Sequence, residues 1–200
     1  VITKDGKKHV FSHFGSGSFR NIPTYRSKYC TFEPQSFLDE LQILGFKPTI
    51  YVDEESPLTS YYDIFFNQAI EISRGKDRLG STGAGYRTTM ERQKQLGTQL
   101  FFRDILTSGI LKEKLDLIKE HYRTRTNLET SFTFDSFPHE QEIHKYYHAV
   151  KEVNKLILEG TIVPIKEEEI FLSDKWQAFI FEGSQGILLD QNFGTKPHIT

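Results

Sequence analysis

Apolar residues recur at helical spacing in two stretches of the first half of the chain. The first stretch starts at Pro34, a residue favoured in the first turn of a helix, and stops before Gly45, a common C-terminal cap. The apolar positions in it are Phe37, Leu38, Leu41 and Leu44. They share one helical face, so the pattern predicts an amphipathic helix over 34–44.

The second helical pattern has Ser56 as its N-terminal cap and Pro57 in its first turn, and Gly75 closes it. The apolar positions are Leu58, Tyr61, Phe65, Ala69 and Ile72. Between the two helices the run Thr49–Val52 is short and almost entirely apolar, which is typical of a buried strand in a parallel sheet.

The remaining pattern places strands at the two ends of the chain and helices between them. The segments 1–4 and 7–14 flank Asp5-Gly6, which predicts a hairpin with a tight turn. Residues 87–96 are predicted to be helical, and 101–160 mostly helical, with the clearest helix running from Pro138 to Gly160. Trp176–Glu182 has the pattern of a buried strand. The alternation of strands and helices predicts an α/β fold with a helical insertion over about 100–160.

Composition and charge restrict the class of protein. The chain has 200 residues, and 25 Lys and Arg against 27 Asp and Glu give a net charge of −2. A 37% hydrophobic content excludes a disordered chain, and the balanced charge gives no basic surface for nucleic acid. The sequence contains no apolar run long enough for a membrane span. Cys30 is the single cysteine, so a reducing, cytoplasmic setting is expected. Because the chain starts at Val1 and its one methionine is Met90, we expect a part of a longer gene product.

Two glycine-rich segments follow apolar runs, at positions where α/β proteins bind ligands. Gly80–Gly85 precedes a predicted helix and is either a phosphate cradle or an ordinary tight connection. It is not a Walker A loop, because Tyr86-Arg87 occupies the Lys-Ser/Thr position, and Thr88 excludes the dinucleotide fingerprint. In Glu182–Gly186 the serine directly follows glycine, which excludes a nucleophile elbow. There the pattern favours a strand-ending turn over a base contact by the amide of Gln185.

Histidines and acidic residues form three further clusters. Glu140, His144 and His148 share a helical face that has zinc-ligand spacing, but nearby lysines favour a solvated stripe, and we reject a metal site. His9 and His13 alternate with Phe11 and are expected to be half-buried structural residues. The acidic run 167–169 is expected to start a helix, where it complements the helix dipole.

The stretch from Phe181 to Thr200 resembles the adenylosuccinate synthetase family. It contains Phe181-Glu-Gly-Ser-Gln-Gly, then Leu188-Leu-Asp, then Gly194-Thr-Lys-Pro-His-Ile-Thr200, in the spacing of the family motifs. Gly80–Gly85 resembles the family's Gly-Thr-Thr-Gly-Arg-Gly loop, and Lys7–Gly17 resembles its strand and Pro-Ser-Gly turn. The resemblance implies a P-loop-NTPase-like, mostly parallel sheet, here in partial form.

The resemblance also implies a reaction. Enzymes of this family ligate L-aspartate to IMP, using GTP and Mg²⁺ and passing through 6-phosphoryl-IMP. By the same resemblance Thr82 and Thr200 contact the IMP 5′-phosphate, and Gln185 contacts the base near its 6-position. A family arginine that reaches the phosphate of a neighbouring subunit corresponds to Arg92 or Arg87, which implies a homodimer.

The chain also departs from the family pattern. Ala84 replaces the basic residue of the glycine loop, and the family's Gly-Asp-Glu-Gly-Lys-Gly-Lys loop is absent from the 200 residues. The family's catalytic aspartate and histidine are expected upstream of Val1, so the chain is interpreted as an internal, inactive part, 1–200, of the synthetase domain, with no metal ligands of its own. Two alternatives stay open: a related enzyme that acts on dGMP, and a non-catalytic nucleotide-binding paralogue.

Overall fold

The computed structural model describes residues 1–2, 6, 8–78, 80–183, 188 and 193–195. The chain divides into two compact units, 1–170 and 171–200. The strands are β1 (Thr24–Arg26), β2 (Ile50–Asp53) and β3 (Ile162–Ile165). The α-helices are α1 (Pro34–Leu44), α2 (Tyr61–Ser73), α3 (Tyr86–Gln93), α4 (Ser108–Glu129), α5 (His139–Leu158) and α6 (Glu167–Phe171). Short 3₁₀ helices cover Ser16–Arg20, Gly75–Asp77, Phe102–Leu106 and Phe134–Ser136.

The three strands form a parallel sheet in the order β1-β2-β3. The central strand β2 is the predicted apolar run, and its Ile50 and Val52 are fully buried. The edge strand β3 was not anticipated from sequence, because Pro164 interrupts its apolar pattern. Proline lacks an N–H group and is tolerated at a sheet edge, where one side of the strand has no ladder partner. The predicted α/β class is therefore confirmed.

Phenylalanine fills much of the core of the first unit. Phe32, Phe37, Phe66, Phe102 and Phe134 are almost completely buried. The rings of Phe32 and Phe102 meet edge to face at 4.9 Å between centroids, a geometry that aromatic pairs prefer. These contacts join the sheet region to the helices of 102–158, where the prediction of mostly helical structure is confirmed by α4 and α5.

Helix α1 has the predicted bounds, but α2 starts four residues later than predicted. Its N-terminal cap is Ser60, not Ser56: the Ser60 hydroxyl accepts from the Asp63 N–H at 3.3 Å, and the Asp63 carboxylate accepts from the Ser60 N–H at 2.7 Å. This reciprocal capping box fixes the start of the helix. Leu58 instead lies in extended chain, and its N–H donates to the carbonyl of Leu100 at 2.9 Å.

Three other predicted elements are wrong or shorter than predicted. Of the predicted N-terminal hairpin, residues 3–5 and 7 lie outside the described residues; an antiparallel bridge joins Ile2 to Lys8, and 9–14 is not a strand. The helix predicted over 87–96 covers Tyr86–Gln93. The described residues Trp176–Glu182 form no strand, and Phe179–Phe181 are exposed. A run of apolar residues becomes a strand only where a neighbouring strand pairs with it, and the run itself does not reveal that neighbour.

Within the described ranges, no helix is both long enough and apolar enough to span a bilayer.

Candidate functional site

The glycine loop Gly80–Gly85 connects the end of α2 to the start of α3. Gly80, Gly83 and Gly85 have φ angles of 77°, 72° and 78°, in the region that favours glycine. Gly85 is also required sterically, because a Cβ atom there would lie 3.0 Å from the backbone nitrogen of Ile64. The glycines therefore let this loop lie directly against α2.

Side chains of α2 hold the loop in place. The Oδ1 atom of Asn67 accepts from the Ser81 hydroxyl at 3.0 Å and from the Gly85 N–H at 3.3 Å. The Ser81 hydroxyl in turn accepts from the Gly83 N–H at 3.2 Å, and the amide of Gln68 donates to the Gly83 carbonyl at 3.3 Å. The loop has a defined conformation as a result.

The exposed side of the loop has the chemistry of an anion site. Thr82 and Ala84 are exposed, and α3 begins directly after them, with its free N–H groups and positive dipole end. One loop amide already meets an acid: the Ser81 N–H donates to the Glu71 carboxylate at 3.3 Å, and Glu71 also pairs with Arg74. The Ser81 N–H is therefore already paired with an anionic oxygen, and the exposed Thr82 and the start of α3 are the parts of this surface that face solvent.

The structure separates the two arginines that were candidates for a contact with a neighbouring subunit. Arg92 is completely buried, and its Nε and Nη2 atoms donate to both oxygens of Asp63 at 2.8 and 3.0 Å. Its remaining donors reach the backbone carbonyls of Leu58 and Thr98 and the side-chain oxygen of Gln93. Arg87 is exposed on α3, with its Nε 2.8 Å from the Glu91 carboxylate. In this conformation only Arg87 of the two is accessible to another molecule.

Burial shifts the pKa values of Arg92 and of its neighbour Tyr122 in opposite directions. Burial by itself lowers the pKa of Arg92, but the charge of Asp63 and its hydrogen bonds raise the pKa above the ordinary value, so the guanidinium is always charged. Burial and the neighbouring Asp63 both raise the pKa of Tyr122, whose hydroxyl donates to Asp63 at 2.7 Å. Both carboxylate oxygens of Asp63 are thus satisfied by protein donors.

The other two predicted nucleotide contacts, Gln185 and Thr200, lie outside the described residues. Just before Gln185, Glu182 and Gly183 are exposed and belong to no helix or strand. The roles of Thr82, Gln185 and Thr200 therefore stay predictions, with Thr82 the one whose surroundings the structure describes.

A buried carboxylate cluster was missed by the sequence reasoning. Glu40 is 6% exposed and accepts hydrogen bonds from the backbone N–H groups of Ser12 and His13 at 3.0 and 2.6 Å. His9 Nε2 lies 3.3 Å and His13 Nδ1 3.4 Å from its oxygens. Both histidines are buried, with 8% and 5% of their surface exposed, and not half-buried as expected. The sequence does contain one indication of this cluster: Glu40 is an acidic residue on the apolar face of α1, together with Phe37 and Leu44.

The pKa values in this cluster follow from the hydrogen bonds. Burial raises the pKa of the Glu40 carboxyl, but the hydrogen bonds from His13, Ser12 and His9 outweigh burial and lower it to about 2. Burial lowers the pKa of His13, although its contact with Glu40 opposes the effect. The cluster is therefore a charged acceptor among buried donors, and its role is structural.

The stripe of acidic and histidine residues predicted on one helix face lies on α5. Glu140, His144 and His148 are exposed on α5, which confirms the predicted solvated stripe. Across the described ranges, no group of three or more His, Cys, Asp or Glu side chains has the geometry to hold a metal ion.

A groove of about 610 Å³ lies beside the loop, between α1, α2 and the start of α5. Phe65, Phe132 and Phe137 supply apolar surface, and Lys145 is among its charged residues. Gln68 lines the groove and also binds Gly83, so the groove adjoins the glycine loop. No feature of the sequence pattern predicted this groove.

Comparison with known proteins gives one consistent family. The family model described as adenylosuccinate synthetase matches residues 1–200. The chain is 27% identical over 209 residues to the adenylosuccinate synthetase of Vibrio parahaemolyticus, covering 100% of this chain and 45% of that protein. It is 29% identical over 211 residues to the Neisseria meningitidis enzyme, covering 46% of that protein. The chain thus spans less than half the length of these curated relatives.

A solved structure shows the same fold. The fully ligated adenylosuccinate synthetase of Plasmodium falciparum superposes with a TM-score of 0.54 at 14% sequence identity. The match covers 88% of this chain and 40% of that protein chain. At this identity the likeness concerns the fold alone, and it agrees with the α/β architecture described above.

Proposed function

The chain belongs to the adenylosuccinate synthetase family, and we propose that it forms part of the nucleotide-binding region of an enzyme that ligates aspartate to IMP. The family match over the whole chain is the observation that carries the proposal. The glycine loop supports it, because Thr82 is exposed and α3 starts beside it, at the place where the family resemblance expects the phosphate of IMP.

In the proposed reaction the γ-phosphoryl group of GTP is first transferred to the 6-oxygen of IMP. The amine of aspartate then attacks the 6-carbon, and inorganic phosphate leaves with the former 6-oxygen. This chain contributes binding and orientation: Thr82 and Thr200 hold the 5′-phosphate, and the Gln185 amide faces the 6-position. Holding the base in one place relative to GTP lowers the barrier by removing the freedom of the reactants.

The described residues do not fit the Mg²⁺ that the family resemblance implies, since they offer no suitable cluster of ligands. We therefore assign no step through the metal to this chain. For the proposed homodimer, Arg87 is the candidate that reaches the phosphate bound to a neighbouring subunit, because it is exposed near the glycine loop whereas Arg92 is buried.

Titration calorimetry of the purified protein with IMP and dGMP tests the proposal. We expect IMP to bind, and Thr82→Val to weaken binding by about 1–2 kcal/mol through the loss of one hydrogen bond to a charged group. Thr124→Val is the matched control, because Thr124 is also an exposed threonine but lies on α4, with its hydroxyl on the Glu120 carbonyl. It is expected to leave the affinity unchanged.

The titration also separates the alternatives. Tighter binding of dGMP than of IMP would identify the related enzyme that acts on dGMP. Nucleotide binding by a full-length gene product without GTP-dependent turnover would identify the non-catalytic paralogue. If neither nucleotide binds at millimolar concentration, the nucleotide site is not there.

A further inference from the structure

Three acceptors lie in one line along α2 and face the glycine loop and α3. Asp63, Asn67 and Glu71 are spaced four residues apart, so they share one face of the helix. The Asp63 carboxylate accepts from the Nε of Arg92 in α3 at 2.8 Å, and the Glu71 carboxylate accepts from the Ser81 N–H at 3.3 Å. The middle residue of this line makes the contacts that close the loop.

Asn67 joins the beginning and the end of the loop through a single atom. Its Oδ1 accepts from Ser81 near the start of the loop and from Gly85 at its end. Asn67 is 5% exposed and Gly85 is buried, so water cannot easily replace the lost partner of the Gly85 N–H. A buried donor left without an acceptor bears the full cost of its desolvation.

The same atom fixes the residue at the tip of the loop. The Ser81 hydroxyl, which donates to Asn67, also accepts from the Gly83 N–H at 3.2 Å. Thr82 lies between these two residues, so its backbone is held on both sides by groups that depend on Asn67. The course of the backbone at Thr82 is set in this way before any ligand arrives.

We propose that Asn67 is a positioning residue for the phosphate of the nucleotide: its side-chain oxygen holds Gly80–Gly85 in the conformation that binds the anion. This inference rests on the proposed function, which assigns the phosphate to that loop. Asn67 itself is buried beneath the loop and acts through Ser81 and Gly85, without touching the ligand.

Two substitutions separate the oxygen acceptor from the shape of the side chain. Asn67→Leu keeps a similar shape without an acceptor, whereas Asn67→Asp keeps an acceptor oxygen. We expect the leucine variant to bind IMP about tenfold more weakly, the aspartate variant to stay within about threefold of wild type, and both to bind inosine, which lacks the phosphate, as wild type does. The matched control is the same pair of changes at Asn127, whose Oδ1 also accepts a backbone N–H, that of Phe134 at 2.9 Å, but on α4.

A second variant and a second measurement keep the test decisive. Ser81→Ala removes the link on an exposed residue, so the fold is retained, and it is expected to weaken IMP binding several-fold while leaving inosine binding intact. Amide hydrogen exchange without ligand is expected to be faster for Gly85 in Asn67→Leu but not in Asn67→Asp.

Several results would overturn the proposal. These are wild-type IMP affinity in both Asn67→Leu and Ser81→Ala, an equal loss in the leucine and aspartate variants, or an equal loss for inosine and IMP. If the wild-type protein binds no IMP, the proposed function fails first. The phosphate-positioning role then fails with it, and the exchange of Gly85 decides only whether Asn67 holds the loop: an unchanged rate in Asn67→Leu refutes this, and a faster rate supports it.

Discussion

At the scale of single residues, the buried ion pair of Arg92 and Asp63 joins α3 to α2, the two helices that flank the glycine loop. Asp63 accepts from Arg92, from Tyr122 and from the backbone and hydroxyl of Ser60. A buried ion pair adds little stability compared with a well-packed apolar pair. Removing one partner, however, leaves an uncompensated charge in the interior.

We therefore expect Arg92→Met to lower the free energy of unfolding by about 3–5 kcal/mol. The control is Arg87→Met, because Arg87 makes an exposed ion pair with Glu91 in the same helix and such pairs contribute less than about 1 kcal/mol. Urea denaturation of the two variants measures the difference. Similar losses in both would show that Arg92 does not stabilise the interior.

The Glu40 cluster predicts how stability depends on pH. The pKa of Glu40 in the folded protein is about 2, below its ordinary value of 4.5. Glu40 therefore stabilises the folded protein fully above pH 4.5, and this stabilisation is lost as the pH falls toward 2. The lowered pKa of His13 acts in the same direction below pH 6.5. The shift of the Glu40 pKa from 4.5 to about 2 corresponds to about 3 kcal/mol of stability.

Glu40→Gln is expected to remove most of this acid sensitivity. The free energy of unfolding, measured between pH 5 and pH 2, is expected to fall by about 3 kcal/mol less in the variant than in wild type. Glu159→Gln serves as control, since Glu159 is an exposed carboxylate paired with Lys47 at the surface. Equal slopes in wild type and Glu40→Gln would contradict the assignment.

Sequence reasoning found the residues of the loop surface more easily than those that support it. Thr82 was identified because a family resemblance and a glycine pattern both mark it. Asn67 and Asp63 carry no such mark: they lie on the side of the predicted helix opposite its apolar positions, where polar residues are expected to be solvated. Only the folded chain shows which donors meet them. An acid on an apolar helical face, such as Glu40, is the signal that sequence does provide for a buried polar cluster.

At the scale of elements, the close approach of the glycine loop to α2 gives a prediction that compares two glycines of the same loop. Gly85 and Gly80 have almost the same φ, 78° and 77°, but a Cβ atom meets α2 backbone only at Gly85. Gly80→Ala is expected to cost about 1–2 kcal/mol for the left-handed conformation alone. Gly85→Ala adds a clash with Ile64 and is expected to cost clearly more.

Thermal denaturation of both glycine variants measures these costs. Because Gly85 also caps α3, its variant is expected to move the loop and to weaken IMP binding, whereas Gly80→Ala keeps the loop in place. A Gly80 variant that is as unstable as the Gly85 variant would show that backbone conformation, not the contact with α2, sets the requirement for glycine.

The predicted elements were correct where local signals agree and wrong where distant partners decide. Helix α1 has a proline at its start, one apolar face and a glycine at its end, and its bounds were predicted correctly. For α2, Ser56-Pro57 has the residue types of a helix start but lies before the helix. The N-terminal cap is Ser60, which is fixed by its reciprocal hydrogen bonds with Asp63. The strand predicted at Trp176–Glu182 depends on partners that no local pattern can reveal.

At the scale of the whole molecule, the chain combines a family match over all its residues with only part of the chemistry the proposed reaction needs. It matches less than half the length of its curated relatives, and the glycine loop is the one proposed contact region whose geometry is described. A binding region and a phosphoryl-transfer region are separable in principle, because one needs only donors for the nucleotide while the other needs GTP and its metal.

This separation predicts how the 200-residue chain behaves by itself. We expect it to bind IMP but not to release phosphate from GTP when IMP and aspartate are added, because its sequence contains no Gly-Asp-Glu-Gly-Lys-Gly-Lys loop. A phosphate-release assay, run beside calorimetry on the same sample, measures both properties. The full-length Vibrio parahaemolyticus enzyme serves as the positive control for the assay. Phosphate release by this chain that depends on both IMP and aspartate would show that residues within the chain carry out phosphoryl transfer. It would refute the separation of a nucleotide-binding region from a phosphoryl-transfer region.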